Sequence, residues 1–221
     1  PIAHGYIKHI DVSKARALPG VHAVLTYKDI PRVVHSSAGQ SHPIPGPLDF
    51  FSLDRKLRCV GDRVAAVAAE TEEIAQRALE MIEVDYEDLP VLTDVHVAMK
   101  EDAPLIHSER GSNVFCHYRI RKGDVESAFN QADVIVSGEY RTPAQEHAYL
   151  QPEAGVGYID EAGRVKIKVD AQSKKKNQEQ ICHALGLPPE QVRVIYPAIG
   201  GAFGGREDMS VQIVLALAAW R

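Results

Sequence analysis

The stretch 192–220, VRVIYPAIGGAFGGREDMSVQIVLALAAW, runs from an alternating apolar segment through a glycine cluster into an apolar run with helical spacing. Strand, glycine loop and helix in that order is an arrangement that offers backbone N–H groups to an anion. Gly200-x-x-x-x-Gly205-Arg206-Glu207 comes close to the phosphate-loop pattern G-x-x-x-x-G-K-[ST] and departs from it where the chemistry matters. Arg206 keeps the positive charge, but Glu207 stands where a magnesium-binding hydroxyl is required. A carboxylate there also repels the β- and γ-phosphates of a nucleotide. The dinucleotide pattern G-x-G-x-x-G is not met either. Glycines on both sides of Ala202 and Phe203 exceed what a tight turn needs, and the better reading is close approach of backbone N–H groups to an anionic, planar ligand.

Working outward, the 221 residues carry a net charge of −5 and 45% hydrophobic content. That length buries a substantial core in one or two domains, and no basic field points to nucleic acid or an anionic membrane. Cys59, Cys116 and Cys182 are far apart and form no C-x-x-C, which argues against an iron–sulfur or zinc site carried by this chain's own cysteines. An odd, sparse set of cysteines fits a reducing, cytoplasmic compartment. No apolar run reaches the roughly 18 residues of a membrane span, and no signal-peptide pattern opens the chain. The chain starts without methionine and stops while a helical pattern is still running, as expected of a piece of a longer polypeptide.

Residues 1–35 predict mixed strand and turn, and 37–50, dense in Pro, Gly and Ser, predict an exposed loop. RVAAVAAE predicts a buried strand. TEEIAQRALEMIEV predicts a helix capped by Thr71, with Glu72 and Glu73 at its positive end and Ile74, Ala78, Leu79 and Ile82 on one face. A polar stretch, KEDAPLIHSERGSN, reads as a linker to a second unit. There GDVESAFNQADVIVSGEY predicts a helix capped by Asp124, with Val125, Ala128, Phe129 and Ala132 on one face, followed by a strand over 134–140. RVKIKVDA and QVRVIY alternate as strands. KKKNQEQICHALG predicts a helix stopped by Gly186, with Lys174, Lys175 and Lys176 on a solvated face.

TPAQEHAYLQPEAG, residues 142–155, is the second candidate site. His147 has no partner histidine at helical ligand spacing, so no H-E-x-x-H forms. No Ser/His/Asp or Cys/His set is recognisable, and a solvated turn is an equal reading of Gln145, Glu146 and His147.

Taken together, PIAHGYIKHIDVSKARALPGVHAVLTYKDIP, VGDRVAAVAAETEEIAQRALEMIEVDYEDLPVLTD, GDVESAFNQADVIVSGEYRTPAQEHAYLQPEA and GGAFGGRE resemble, in order and spacing, the molybdopterin-binding subunit of the xanthine dehydrogenase and aldehyde oxidase family. The resemblance implies an α+β chain. A small hammerhead-like α/β domain would occupy 1–110, and the start of a molybdopterin-binding domain 111–221. It implies hydroxylation at an electron-poor carbon with molybdopterin as cofactor. Electrons would leave through iron–sulfur clusters to FAD on partner chains or domains, with the remainder of the molybdopterin subunit as a further partner.

Residue by residue, the resemblance places Gln145 where the family's glutamine hydrogen-bonds an oxygen ligand of molybdenum. It places Gly201, Ala202, Phe203, Gly204 and Gly205 in the loop packed against the cofactor, with Phe203 beside the metal. Glu207 matches the carboxylate that faces substrate in purine hydroxylases, and Gln172, in DAQS, matches a T-Q-type position. Aldehyde-specific members generally carry an apolar residue at the position of Glu207, so purines such as xanthine or hypoxanthine are expected. Rival expectations are an aldehyde or other N-heterocycle substrate, or a non-catalytic scaffold. The chain departs from the family at Gln151, where many members place glutamate, at Ala202 and in the basic run 173–178. The general base has no matching segment, so these residues alone are expected to be inactive.

Overall fold

The computed structural model describes residues 2–36 and 48–220, and most of the loop expected over 37–50 lies outside them. The first half holds two small antiparallel sheets. β1 (Gly5–Asp11) lies between β3 (Lys56–Leu57) and β5 (Glu83–Asp88), while β2 (Val21–Thr26) pairs with β4 (Ala65–Ala69). α1 (Ser13–Ala17) and α2 (Glu72–Glu80) pack on the β2–β4 pair, and Ala15, Val24 and Ala78 are buried between them. Thr71 caps α2 as its sequence predicts, its hydroxyl accepting from the Ile74 N–H at 3.3 Å.

Two expectations for this half need correction. Leu79 is exposed, because the face of α2 that meets the sheet is narrow and centred on Ala78. β4 is half-buried rather than buried, since it pairs with β2 alone. The short helix α3 (Val95–Ala98) follows, capped by Asp94. The stretch read as a linker is strapped down instead. The Lys56 ammonium donates to the carbonyls of Leu105 and Ile106, and the Asn113 side chain bonds the Ala98 and Pro104 carbonyls and the Ile106 N–H.

The second half opens with α4 (Val125–Gln131), whose N-terminus is capped by Asp124 accepting from the Ser127 N–H at 3.1 Å. Its apolar face is not buried: Val125 and Phe129 are both exposed. The strand expected over 134–140 is absent, because no backbone hydrogen bond pairs the segment with any described residue.

Beyond it, β6 (Gly155–Ile159), β7 (Val165–Val169) and β8 (Val192–Ile195) form one sheet, antiparallel between β6 and β7 and parallel between β7 and β8. The parallel pair needs a crossover, which α5 (Lys174–Leu185) supplies. Gly186 ends α5 in the left-handed conformation at φ 68°. Val165, Ile167 and Val169 point into the core on alternate positions. α6 (Gln212–Trp220) lies against β6, β7 and α5. Its approach to β6 depends on Gly157, where a Cβ would stand 2.6 Å from the Leu215 carbonyl oxygen.

The largest hydrophobic cluster joins the halves. Leu25, Ile30 and Leu53 share it with Ile167, Ile181, Ile213 and Leu217. The Arg63 guanidinium also donates to the Ser210 carbonyl, so the glycine loop sits between β8 and a helix braced against both halves.

Candidate active site

The glycine loop leaves β8 and folds back as successive tight turns. Gly205 N–H donates to Ala202 O at 2.8 Å and Glu207 N–H to Gly204 O at 3.2 Å. Gly201 and Gly204 have φ of 101° and 93°, and Phe203 itself has φ 52°. Among the described residues, Ala148 at 49° is the other non-glycine residue with positive φ. Both lie here, where strained backbone tends to gather at binding sites.

The segment 147–153 packs directly on this loop. A Cβ on Gly205 would stand 2.8 Å from Tyr149 Cε1 and 3.0 Å from the His147 ring, and one on Gly200 would stand 2.6 Å from Gln151 Cβ. Gln151 N–H donates to Gly200 O at 3.3 Å while its side-chain oxygen accepts from Gly200 N–H. An amide oxygen thus makes the contact that a glutamate at this position would offer.

Arg206 is the centre of the arrangement, and sequence reasoning missed it as such. Its side chain is 1% exposed. Nε donates to the Gly201 carbonyl at 2.9 Å, and Nη2 donates to the Gln151 carbonyl and, at 3.5 Å, to that of Pro152. Nη1 faces Glu153 Oε1 at 3.3 Å, without hydrogen-bond alignment. The Tyr149 ring covers the guanidinium, 4.2 Å from Cζ to the ring centroid. Glu153 in turn accepts from the Tyr149 hydroxyl at 2.6 Å and from Ser210 Oγ. That bond to a carboxylate, followed by burial, raises the Tyr149 pKa. A guanidinium taken out of water is costly unless its donors are used, and most of these are.

The sequence-predicted residues are gathered only in part. Gly201, Ala202, Gly204 and Gly205 are half-buried under 147–153, while the Phe203 ring projects into solvent. Gln172 joins the loop: its N–H donates to Arg206 O and its side-chain oxygen accepts from Arg206 N–H, both at 3.2 Å. Glu207 is half-buried, and its carboxylate makes no hydrogen bond or ion pair among the described residues. Gln145 is exposed and forms no hydrogen bond to the loop. A signal for Arg206 existed in the sequence, since a basic residue inside an apolar strand–loop–helix run must find partners.

The groups offered here suit an anionic organic cofactor. Left-handed backbone turns and a glycine whose Cβ would collide leave room for close main-chain approach. Among the described residues no cluster of three or more His, Cys, Asp or Glu could hold a metal ion. A cofactor bringing its metal on its own ligands fits this donor set. Elsewhere, a cavity of about 230 Å³ is lined by Phe51, Asp54, Arg58 and Arg63 among others and shares no residue with the loop.

Fold and loop together define an α+β chain with a glycine loop whose backbone is open to close approach. The sequence pattern of the molybdopterin cofactor-binding domain matches residues 106–221, and that of the aldehyde oxidase and xanthine dehydrogenase a/b hammerhead domain matches residues 1–90. The chain therefore belongs to the xanthine dehydrogenase and aldehyde oxidase family of molybdopterin-dependent oxidoreductases. It is 36% identical to the nicotinate dehydrogenase large molybdopterin subunit of Eubacterium barkeri, over 98% of this chain and 49% of that protein. It is 34% identical to a probable hypoxanthine oxidase of Escherichia coli K12, over 99% of this chain and 26% of that protein. The solved structure of an aldehyde oxidoreductase from Desulfovibrio gigas superposes with a TM-score of 0.81 at 28% identity, covering 99% of this chain and 24% of that one. The chain thus spans between about a quarter and a half of the length of these relatives.

Proposed function

We propose that this chain forms one wall of the active site of a molybdenum hydroxylase acting on an N-heterocycle of the purine class. Its backbone cradle, Gly201, Ala202, Phe203, Gly204 and Gly205, would hold the molybdopterin, with Gln145 and Phe203 nearest the metal. When bound, that cofactor supplies the redox chemistry for hydroxylating an electron-poor carbon. The chain's own residues position it, and Arg206 keeps the loop closed against 151–153. Iron–sulfur and FAD partners would take the electrons, and the rest of the molybdopterin subunit would provide the general base. Residues 1–221 alone would be inactive.

The observation carrying the purine reading is the unpartnered carboxylate of Glu207 beside the cradle. A carboxylate in a partly dry pocket accepts hydrogen bonds from ring N–H groups, whereas an apolar aldehyde leaves it unsatisfied. The relatives include nicotinate and hypoxanthine enzymes on one side and an aldehyde oxidoreductase on the other. Three free cysteines accord with a cytoplasmic setting, and among the described residues no helix is long and apolar enough to cross a membrane.

The test is Glu207→Val in the complete enzyme. Losing a hydrogen bond to a charged group should lower kcat/KM for xanthine by about 10- to 100-fold, with benzaldehyde turnover spared. Unchanged xanthine turnover would overturn the purine assignment. Absence of molybdenum after expression in a cofactor-producing host would favour the scaffold instead.

A further inference from the structure

Arg63 lies in the connection between β3 and β4, in the first half, yet its guanidinium donates to the Ser210 carbonyl just ahead of α6. Ser210 extends the contact, its hydroxyl donating to Glu153 Oε2. Glu153 Oε1 accepts from the Tyr149 hydroxyl at 2.6 Å and lies 3.3 Å from Arg206 Nη1. Arg206 Nε then donates at 2.9 Å to the carbonyl of Gly201, where the cradle begins with φ 101°. Arg63, Ser210, Glu153 and Arg206 thus form one polar chain from the first half to the glycine loop. Its charges are matched: burial lowers the Arg63 pKa, and the carboxylates of Asp62 and Glu153 oppose that fall. Glu153 therefore serves two guanidiniums. Joining the halves does not require this, since Leu25, Ile30 and Leu53 already share a core with Ile167, Ile181 and Ile213. Charge taken out of water is costly, and here it is spent directly behind the loop.

We infer that Arg63 and Glu153 are positioning residues for the cofactor cradle, Arg63 acting from the first half through Ser210 and Glu153 on Arg206 and so on Gly201. Arg63 holds Ser210, Ser210 and Tyr149 orient the Glu153 carboxylate, and Glu153 keeps Arg206 in the pose that reaches the Gly201 carbonyl. The hammerhead half thereby has a part in shaping a loop that belongs to the other half. That the loop holds a cofactor rests on the function proposed above; that these residues fix the loop does not.

Hydrogen exchange by mass spectrometry on the complete subunit, prepared without cofactor, separates the two. The amides of Gly205, Arg206 and Glu207 bond to Ala202, Gln172 and Gly204 and report the loop's closure. In Arg63→Met these amides should exchange about 10-fold faster while those of β7 keep their rate. Arg63→Lys, which can still donate to the Ser210 carbonyl, should restore most of the protection. Glu153→Gln should act like Arg63→Met, and the double variant should add little to either. Unchanged loop exchange in Arg63→Met would overturn the inference. So would independent effects that multiply in the double variant, or an equal rise in β7, which would mark general loosening. Ile7→Ala, a cavity in a separate first-half cluster, should leave the loop's rate relative to β7 unchanged, and loosening of the loop by it would overturn the special place of Arg63. In the loaded enzyme, Arg63→Met should lower molybdenum content. A faster loop with full molybdenum content would refute the cofactor role and leave the polar chain standing.

Discussion

Arg206 Nη1 and Glu153 Oε1 lie 3.3 Å apart, joining the end of the glycine loop to the segment that covers it. The pair is unevenly placed: the arginine side chain is 1% exposed and the glutamate 24%. Most of the cost of burying it therefore falls on the guanidinium, and the three carbonyls it serves are what keep it there.

Replacing Arg206 with Met should leave those carbonyls without their donor and Glu153 without its countercharge, and lower stability by about 3–5 kcal/mol. Arg206→Lys should cost less, because it keeps the charge and loses only the fork. Urea unfolding followed by far-UV circular dichroism gives both values. Equal losses for Met and Lys would show that geometry, not charge, holds the loop.

Gly205→Ala puts a methyl 2.8 Å from Tyr149 and 3.0 Å from His147. The collision should destabilise the protein by about 1–3 kcal/mol and widen the cradle, with a matching fall in molybdenum content of the complete enzyme. Gly204→Ala is the comparison: its φ is 93°, but the nearest atom to the new methyl is 3.6 Å away. Strain without collision should lower stability and spare the cradle's width.

His35 is buried between the halves, with Ser52 Oγ 3.4 Å from Nε2. Burial first, with repulsion from Arg63 and His183, pushes its pKa down to about 4. The unfolded chain binds a proton near pH 6.5, so it takes up more protons than the fold between those values. Stability from this group is complete above pH 6.5 and is lost as pH falls toward 4, on the order of 3 kcal/mol at most. His35→Gln should flatten the pH dependence of the urea midpoint over that range.

Ile167 is fully buried on β7, the central strand of the β6–β7–β8 sheet. Ile167→Ala should cost about 2–5 kcal/mol, depending on how far α6 settles into the space. A lower urea midpoint with an unchanged slope would confirm a local cavity.

Local signals made much of the fold legible. Thr71 and Asp124 cap the helices they precede, Gly186 stops α5, and the alternation of Val165, Ile167 and Val169 marks β7 and its buried face. Each depends on neighbours within a few residues. The failures depend on distant partners. Val134–Tyr140 has a strand's pattern, but a ladder needs a second strand. Leu79 shares a face with Ala78 by spacing, yet the sheet is too narrow to cover it. The glycine loop announced itself by composition. That Arg206 would bond carbonyls more than fifty residues earlier in the chain was not readable from spacing.

The shared core of Leu25, Ile30 and Leu53 with Ile167, Ile181 and Leu217 bears on how such chains diversify. A recombination point near residue 100 would divide the sequence between its two family patterns and would also divide one hydrophobic interior. Leu25, Ile30 and Leu53 would then meet side chains selected beside a different neighbour. Exchange of the first half between relatives should succeed only where those apolar surfaces match in volume, so the two halves inherit changes as a pair.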